Sequence, residues 1–242
     1  GQDGFLRVMY NNALGRGILR FVSKPVFSKL GGMILSTGFS KLFVPWFIKK
    51  HHIDIKEYEK SQFSSFNDFF TRKIKEEYRP FPKEEELLGC PSDGKISVYP
   101  ITKQQTFYIK NSIYTVKSLL RNKKLAARYY DGYAMVIRLA PDDYHRYCYF
   151  DECNQGELHR IEGSFYTVNP HALYHEKVFK ENTREYSVLY TKHFGKVIQI
   201  EVGALMVGKI NNYYDRARKK RGAEKGRFEF GGSTIILLFE KN

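Results

Sequence analysis

With 242 residues the chain is long enough to bury a full core in one large domain, or in one domain with an appendage. Forty Lys and Arg against 26 Asp and Glu leave a net charge of +14, which suits an anionic partner, either nucleic acid or an acidic membrane surface. The three cysteines, Cys90, Cys148 and Cys153, are odd in number and contain no C-x-x-C pair, which argues against a disulfide framework and a zinc site and fits a reducing, cytoplasmic setting.

The first fifth of the chain is the most basic. Residues 1–50 hold eight Lys or Arg and one acid, Asp3, a local charge of +7. Residues 5–30 place apolar side chains at helical spacing with arginines between them, and residues 33–48 are more apolar still and contain the lone tryptophan, Trp46. Neither stretch reaches the roughly 18 uninterrupted apolar residues of a membrane span. Helices with an aromatic, apolar face and a basic face lie in the membrane interface instead. The alternative for these helices is packing on the rest of the chain or on a second subunit.

Ser65 is placed to cap a helix over residues 66–75, ended near Arg79-Pro80. The charged stretch 83–86 reads as a linker, which divides the chain into a helical, basic region, 1–82, and a β-rich region, 83–242. Strands are predicted at 95–99, 106–109, 134–139, 144–150, 164–168, 186–191, 196–202 and 205–210, with one helix at 116–127. Two last strands, 227–230 and 234–239, flank Gly231-Gly232-Ser233. The fold class is therefore α+β, with N-terminal membrane-associated helices followed by a mostly antiparallel β sandwich or barrel-like domain. A second basic block, residues 216–221, lies just before the last pair of strands and has a solvated loop as its plain reading.

The segment Gly226-Arg-Phe-Glu-Phe-Gly-Gly-Ser-Thr-Ile-Ile-Leu-Leu-Phe239 taken alone reads as a hairpin turn. Read with its flanks, it resembles the processing site of the pyruvoyl-dependent phosphatidylserine decarboxylases of prokaryotic type. Further stretches of family character occur in order. They are Phe69-Phe-Thr-Arg-Lys-Ile-Lys75 with Arg79-Pro80, Pro91-Ser-Asp-Gly94, Pro141-Asp-Asp-Tyr-His-Arg146, Tyr166-Thr-Val-Asn-Pro170 and Val202-Gly-Ala-Leu-Met-Val-Gly208. The resemblance covers residues 60–242.

The resemblance implies a proenzyme that cuts its own Gly232–Ser233 bond. Oγ of Ser233 attacks the Gly232 carbonyl and turns the amide into an ester. Elimination leaves a dehydroalanine, which hydrolyses to a pyruvoyl group and ammonia. The ketone then takes up the amine of phosphatidylserine and draws electrons as CO₂ leaves, giving phosphatidylethanolamine, the sink role that PLP plays elsewhere. No metal is called for.

A serine needs a base to take its proton. By resemblance, Asp93 of the Pro-x-Asp-Gly motif orients a histidine for cleavage, although Asp-Gly by itself favours a tight turn. His145 matches the histidine that serves decarboxylation. The second histidine of that motif, the family's cleavage base, is replaced here by Cys148. A thiol is a poor base at neutral pH, so Cys148 puts self-processing in question and leaves His145 or His159 as the nearest substitutes. The alternative reading is an unprocessed or inactive lipid-binding relative. His51, His52, His171, His175 and His193 match no motif and read as surface or packing residues. Expected partners are phosphatidylserine, an anionic membrane surface and the two cleavage fragments of the chain itself, with a homodimer left open. No RNA- or DNA-binding pattern occurs, so nucleic acid is not expected. The implied location is peripheral, on the cytoplasmic face of a membrane. The piece after the cut, 233–242, is shorter than the family's usual tail, which implies a truncated C-terminus.

Overall fold

A computed structural model of the chain describes residues 33–103, 106–109, 112–165, 180–203, 209–231 and 233–241. The helix expected at 5–30, the Tyr166–Pro170 motif, most of the 202–208 motif, His171, His175 and Gly232 lie outside the described residues.

The helical region is short. A 3₁₀ turn, Gly38–Phe43, runs into α1, Val44–His51, whose second residue is Pro45. Proline suits the first turn because the N–H it lacks has no partner there anyway. Val44 and Phe47 turn inward, whereas Phe39, Leu42, Phe43 and Trp46 stay exposed. Helix α2, Phe66–Phe70, starts where Ser65 accepts a hydrogen bond from the Asp68 amide. It stops well before residue 75. Residues 73–75 are drawn into extended pairing with 57–59, through Glu59 N to Lys73 O, Lys75 N to Glu57 O and a bridge between Tyr58 and Ile74. Val44, Phe47, Phe66, Phe69 and Phe70 form one buried cluster, and Phe230 of the β-rich region packs against it.

The β-rich region opens with β1, Lys95–Pro100, followed by the hairpin β2, Phe107–Ile109, and β3, Ser112–Tyr114. Helices α3, Val116–Leu120, and α4, Lys123–Ala127, replace the single helix expected over 116–127. Arg121 takes a left-handed conformation, and Asn122 accepts from Leu125 N to start a second helix. Then come β4, Tyr133–Leu139, β5, Arg146–Cys148, β6, Cys153–Gln155, β7, His159–Ile161, and β8, Ser164–Phe165. The chain continues with β9, Lys180–Glu181, β10, Arg184–Thr191, β11, Lys196–Val202, and β12, Ile210–Asn212. It closes with β13, Ala217–Lys219, β14, Glu224–Phe228, and β15, Ser233–Phe239.

Among the described residues all the strand pairings are antiparallel. The main sheet runs β1-β4-β15-β11-β10-β6-β13, with β7 also on β10, and a smaller sheet runs β12-β14-β5. Among the described residues the main sheet is open, with β1 and β13 at its edges, so the expectation of a mostly antiparallel sheet holds and a closed barrel is not formed. Between the two sheets lie Ile137, Tyr147, Val197, Ile210, Phe228, Ile235 and Leu237. On the other face, Ile198, Ile200, Ile236 and Leu238 are covered by Phe107, Val116, Leu119 and Ala126 of the β2–β3 hairpin and the two short helices. Strand β15 sits between β4 and β11, sealed on both faces, and this explains its unbroken apolar run. Its residues 235–238 are fully buried, and each such side chain contributes about 1.5–3 kcal/mol.

The layer between the sheets also holds charge. Lys225 Nζ donates to Glu201 at 2.8 Å and to Asn212 at 2.7 Å, and Asn212 donates to Glu185 at 2.8 Å. Burial raises the Glu201 carboxyl against the opposing pull of Lys225. Breaking such a buried pair by removing one partner costs far more than the pair contributes.

Candidate active site

Strand β14 delivers the chain into the turn that precedes β15. Gly231 has φ of 144°, a backbone geometry that side-chain-bearing residues rarely adopt. Ser233 follows as the first residue of β15, opposite Leu139, and is 1% exposed. Its Oγ donates to the Gly231 carbonyl at 3.3 Å. The serine is thus sealed at the head of the central strand, beside the bond implicated in cleavage.

Two contacts from distant parts of the chain fix this run-up. The Phe230 amide donates to Asn67 Oδ1 at 3.3 Å, and the Phe230 ring lies 5.2 Å from Phe66 and 5.1 Å from Phe70. The Phe228 amide donates to the His145 carbonyl at 2.9 Å. His145 is 1% exposed and its ring centroid lies 4.0 Å from that of Phe70. Nδ1 lies 2.8 Å from the Asp143 carbonyl, which only accepts, so Nδ1 carries the proton and the basic lone pair of the neutral ring is on Nε2. The Asp143 carboxyl, which accepts from Ala140 N at 2.6 Å, is raised by burial and by the charges of Asp142 and Asp93. This tight turn also delays the strand predicted from residue 144 until Arg146.

Asp93 and Cys148 lie together on a cavity of about 530 Å³ that flanks β5. Its wall also includes Arg79, Ser92, Tyr144 and Glu224. Asp93 is held by Arg79 rather than by an imidazole. Nε of Arg79 donates to Oδ1 at 3.0 Å and Nη2 donates to Oδ2 at 2.9 Å. Gly94 after it has φ of 142°, and a Cβ there would meet the Arg138 carbonyl at 2.8 Å, so the turn reading of Asp-Gly is also met. The Cys148 amide donates to Pro91 O at 2.9 Å, and its thiol points at the same carbonyl, 3.5 Å away. Burial, with smaller contributions from Cys90 and Glu224, pushes that thiol up to about 12.

The other histidines separate cleanly. His159 stacks on Tyr186 at 4.8 Å and pairs with it across β7 and β10. Tyr186 pairs with Ile200, and Ile200 with Ile236, so three strand spacings, roughly 14 Å, separate His159 from β15. His51 stacks on Phe47 at 4.2 Å. His193 bridges Asp151 and Glu85 at 2.9 and 3.0 Å, and the Asp151 contact first among these raises its imidazole. Sequence reasoning passed over Phe70, Ser92 and Arg79 as site residues. Phe70 and Arg79 stand inside motifs already singled out, but nothing in their spacing tells which partner each meets.

Residues 66–242 match the family model for phosphatidylserine decarboxylase. The chain belongs to that family. It is 48% identical to phosphatidylserine decarboxylase proenzyme 2 of Clostridium acetobutylicum, over 99% of this chain and 82% of that relative. It is 42% identical to the phosphatidylserine decarboxylase proenzyme of Clostridium novyi, over 99% and 83%. The corresponding proenzyme of Fusobacterium nucleatum is 39% identical over 99% and 82%.

Proposed function

We propose that this chain is a proenzyme that cleaves itself between Gly232 and Ser233 and then decarboxylates phosphatidylserine to phosphatidylethanolamine, releasing CO₂. The observation that carries the reading is the burial of Ser233 at the head of β15, behind a turn whose Gly231 adopts φ of 144°, in a chain of this family. The proenzyme names of the relatives favour a processed chain over an inert lipid binder.

A pyruvoyl group formed from Ser233 fits this position. It would begin β15 at a sealed point, after a strand whose Phe228 amide donates to the His145 carbonyl. When formed, that group supplies a ketone that accepts the substrate amine and withdraws electrons as CO₂ departs.

His145 takes the part of the base. Cys148 is unsuited because its thiol stays protonated, and His159 stands three strand spacings from β15. A neutral His145 held through Nδ1 has Nε2 to receive a proton from Ser233, and the same nitrogen can return a proton later in decarboxylation. Asp93 is paired with Arg79 and not with an imidazole, so its part is to hold the Arg79 side chain.

After the cut, β15 belongs to the second fragment. It remains registered along its length with β4 and β11, so the two fragments stay together under native conditions. Denaturing mass spectrometry of the purified protein should give two fragments whose second mass carries a pyruvoyl end, and native mass spectrometry one assembly. Ser233→Ala should give one chain and no CO₂. Two fragments from Ser233→Ala would sink the assignment.

For residues 1–82, the reading is peripheral attachment to an acidic membrane surface on the cytoplasmic face. Among the described residues no helix is long and apolar enough to cross a membrane. Phe39, Leu42, Phe43 and Trp46 are 58–84% exposed, beside Lys41, Lys49 and Lys50, and Lys50 Nζ sits 4.7 Å over the Trp46 ring. Basic residues near an acidic leaflet contribute about 1 kcal/mol each. Co-sedimentation with phosphatidylserine vesicles should fall when Lys41, Lys49 and Lys50 are replaced by Glu and fall again with Leu42→Asp. Unchanged sedimentation would assign this face to a protein contact.

A further inference from the structure

The cavity beside β5 has donors that neither self-cleavage nor decarboxylation uses. A guanidinium carries five N–H groups. In Arg79, Nε and one hydrogen of Nη2 serve Asp93, and one hydrogen of Nη1 serves the Tyr78 carbonyl at 2.8 Å, leaving two without a hydrogen bond, with Glu57 4.0 Å from Nη1. The side chain is 44% exposed at the cavity wall. Ser92, on the same wall, is 9% exposed, and its hydroxyl is buried without a hydrogen-bond partner among the described residues. A buried hydroxyl with no partner is costly, so one that lines a cavity calls for a ligand atom. The other arginine of the wall, Arg146, is committed to Glu224 at 2.7 Å and to the Thr71 carbonyl at 2.9 Å. The volume falls within the range of small-ligand sites.

We propose that this cavity is the subsite for the phosphodiester of the lipid head group, with Arg79 and the Ser92 hydroxyl donating to the phosphate oxygens. The inference rests on phosphatidylserine being the substrate. That substrate offers two anions, and the chemistry chooses between them. Its carboxylate loses charge as CO₂ forms, so an arginine bound to it would stabilise the ground state more than the transition state and slow the reaction. The phosphodiester keeps its charge throughout, and binding it costs nothing in the chemical step. Asp93 on one edge of the guanidinium fixes the plane of the fork, so the remaining donors are held in a fixed orientation.

The test uses the uncleavable Ser233→Ala protein and calorimetry with glycerophosphoserine, glycerol phosphate, inorganic phosphate and serine. Glycerophosphoserine should bind tightest, glycerol phosphate next, and serine not detectably. Arg79→Met should weaken glycerophosphoserine at least tenfold, Arg79→Lys less, and Ser92→Ala by a smaller factor, with thermal melts separating lost binding from lost folding. In the processed enzyme the Arg79→Met loss should fall on KM far more than on kcat. Serine binding as tightly as glycerophosphoserine would turn the site into a carboxylate site. Inorganic phosphate binding equally well would remove the lipid as its source. Phosphatidylserine turnover by the parent with the same KM in Arg79→Met would overturn the subsite alone. No turnover of phosphatidylserine by a processed parent would overturn the substrate reading and the subsite with it.

Discussion

His145, just before β5, and Cys148, at its end, stand three residues apart, yet they meet opposite surroundings. His145 is packed against Phe70, bonded through Nδ1 to a backbone carbonyl, and tied through its own carbonyl to the strand that leads to Ser233. Cys148 lines a cavity shared with Arg79, Asp93 and Glu224, and points its thiol at a carbonyl. The difference shows why a motif position and a role separate. The apolar enclosure of His145 is built by helix α2 from the other end of the chain, whereas the Cys148 side of β5 lies open to a ligand-sized space. A base must be unprotonated and held in place, and the Cys148 thiol, pushed up to about 12, is not unprotonated near neutral pH.

The strongest way to break this contrast is to remove each side chain. His145→Ala should slow cleavage at Gly232–Ser233 by roughly 10²- to 10⁴-fold, the usual loss of a general base. Cys148→Ser should leave the rate within about threefold. A time course on denaturing gels reads both, and a reversed order would return the base to the Cys148 side.

A smaller effect is expected at the ring that encloses His145. Phe70 is 1% exposed, so Phe70→Ala should cost about 3–5 kcal/mol of stability, read by denaturant unfolding. Phe70→Leu should retain most of that stability while slowing cleavage, because an aliphatic chain fills the volume without holding the imidazole plane. Full cleavage speed in Phe70→Leu would mean that the ring supports the fold and not the base.

The mildest probe is chemical. Burial holds the Cys148 thiol at about 12, so alkylation by iodoacetamide near pH 8 should spare it and rise steeply only as the pH approaches that value. Cys90 is exposed and should label first, although burial of its sulfur and the nearby Asp93 raise its thiol as well. Peptide mapping across pH separates the two sites. Ready labelling of Cys148 at pH 8 would show a thiolate and restore it as a candidate base.

Charge follows the same lesson as the cysteine. The basic block at 216–221 reads as solvated loop, but in the folded protein Arg218 lies on edge strand β13 and pairs with Glu152 at 3.2 Å. Arg216 pairs with Glu157 at 3.0 Å, and Arg221 donates to the carbonyls of Glu84 and Leu87. Those acceptors lie more than fifty residues away in sequence, so no local pattern announces them.

What the sequence by itself determined was the part written in local periodicity and local chemistry. The apolar runs of β4, β10, β11 and β15, the Ser65 cap and the Gly-Gly-Ser turn are legible because each depends on neighbours a few residues away. Tertiary structure decided the rest. Strands β6, β7 and β13 are three residues each and exist only because a partner strand pairs with them. Residues 73–75 left a helical pattern because 57–59 offered backbone partners. Arg79 met Asp93, and Phe70 met His145 across 75 positions, because packing two sheets and a helical cluster together brings distant side chains within contact. Propensity acts over a few residues and amounts to tenths of a kcal/mol per position, whereas burial and sheet pairing act over the whole chain and amount to several, so where the two disagreed the longer-range interactions prevailed.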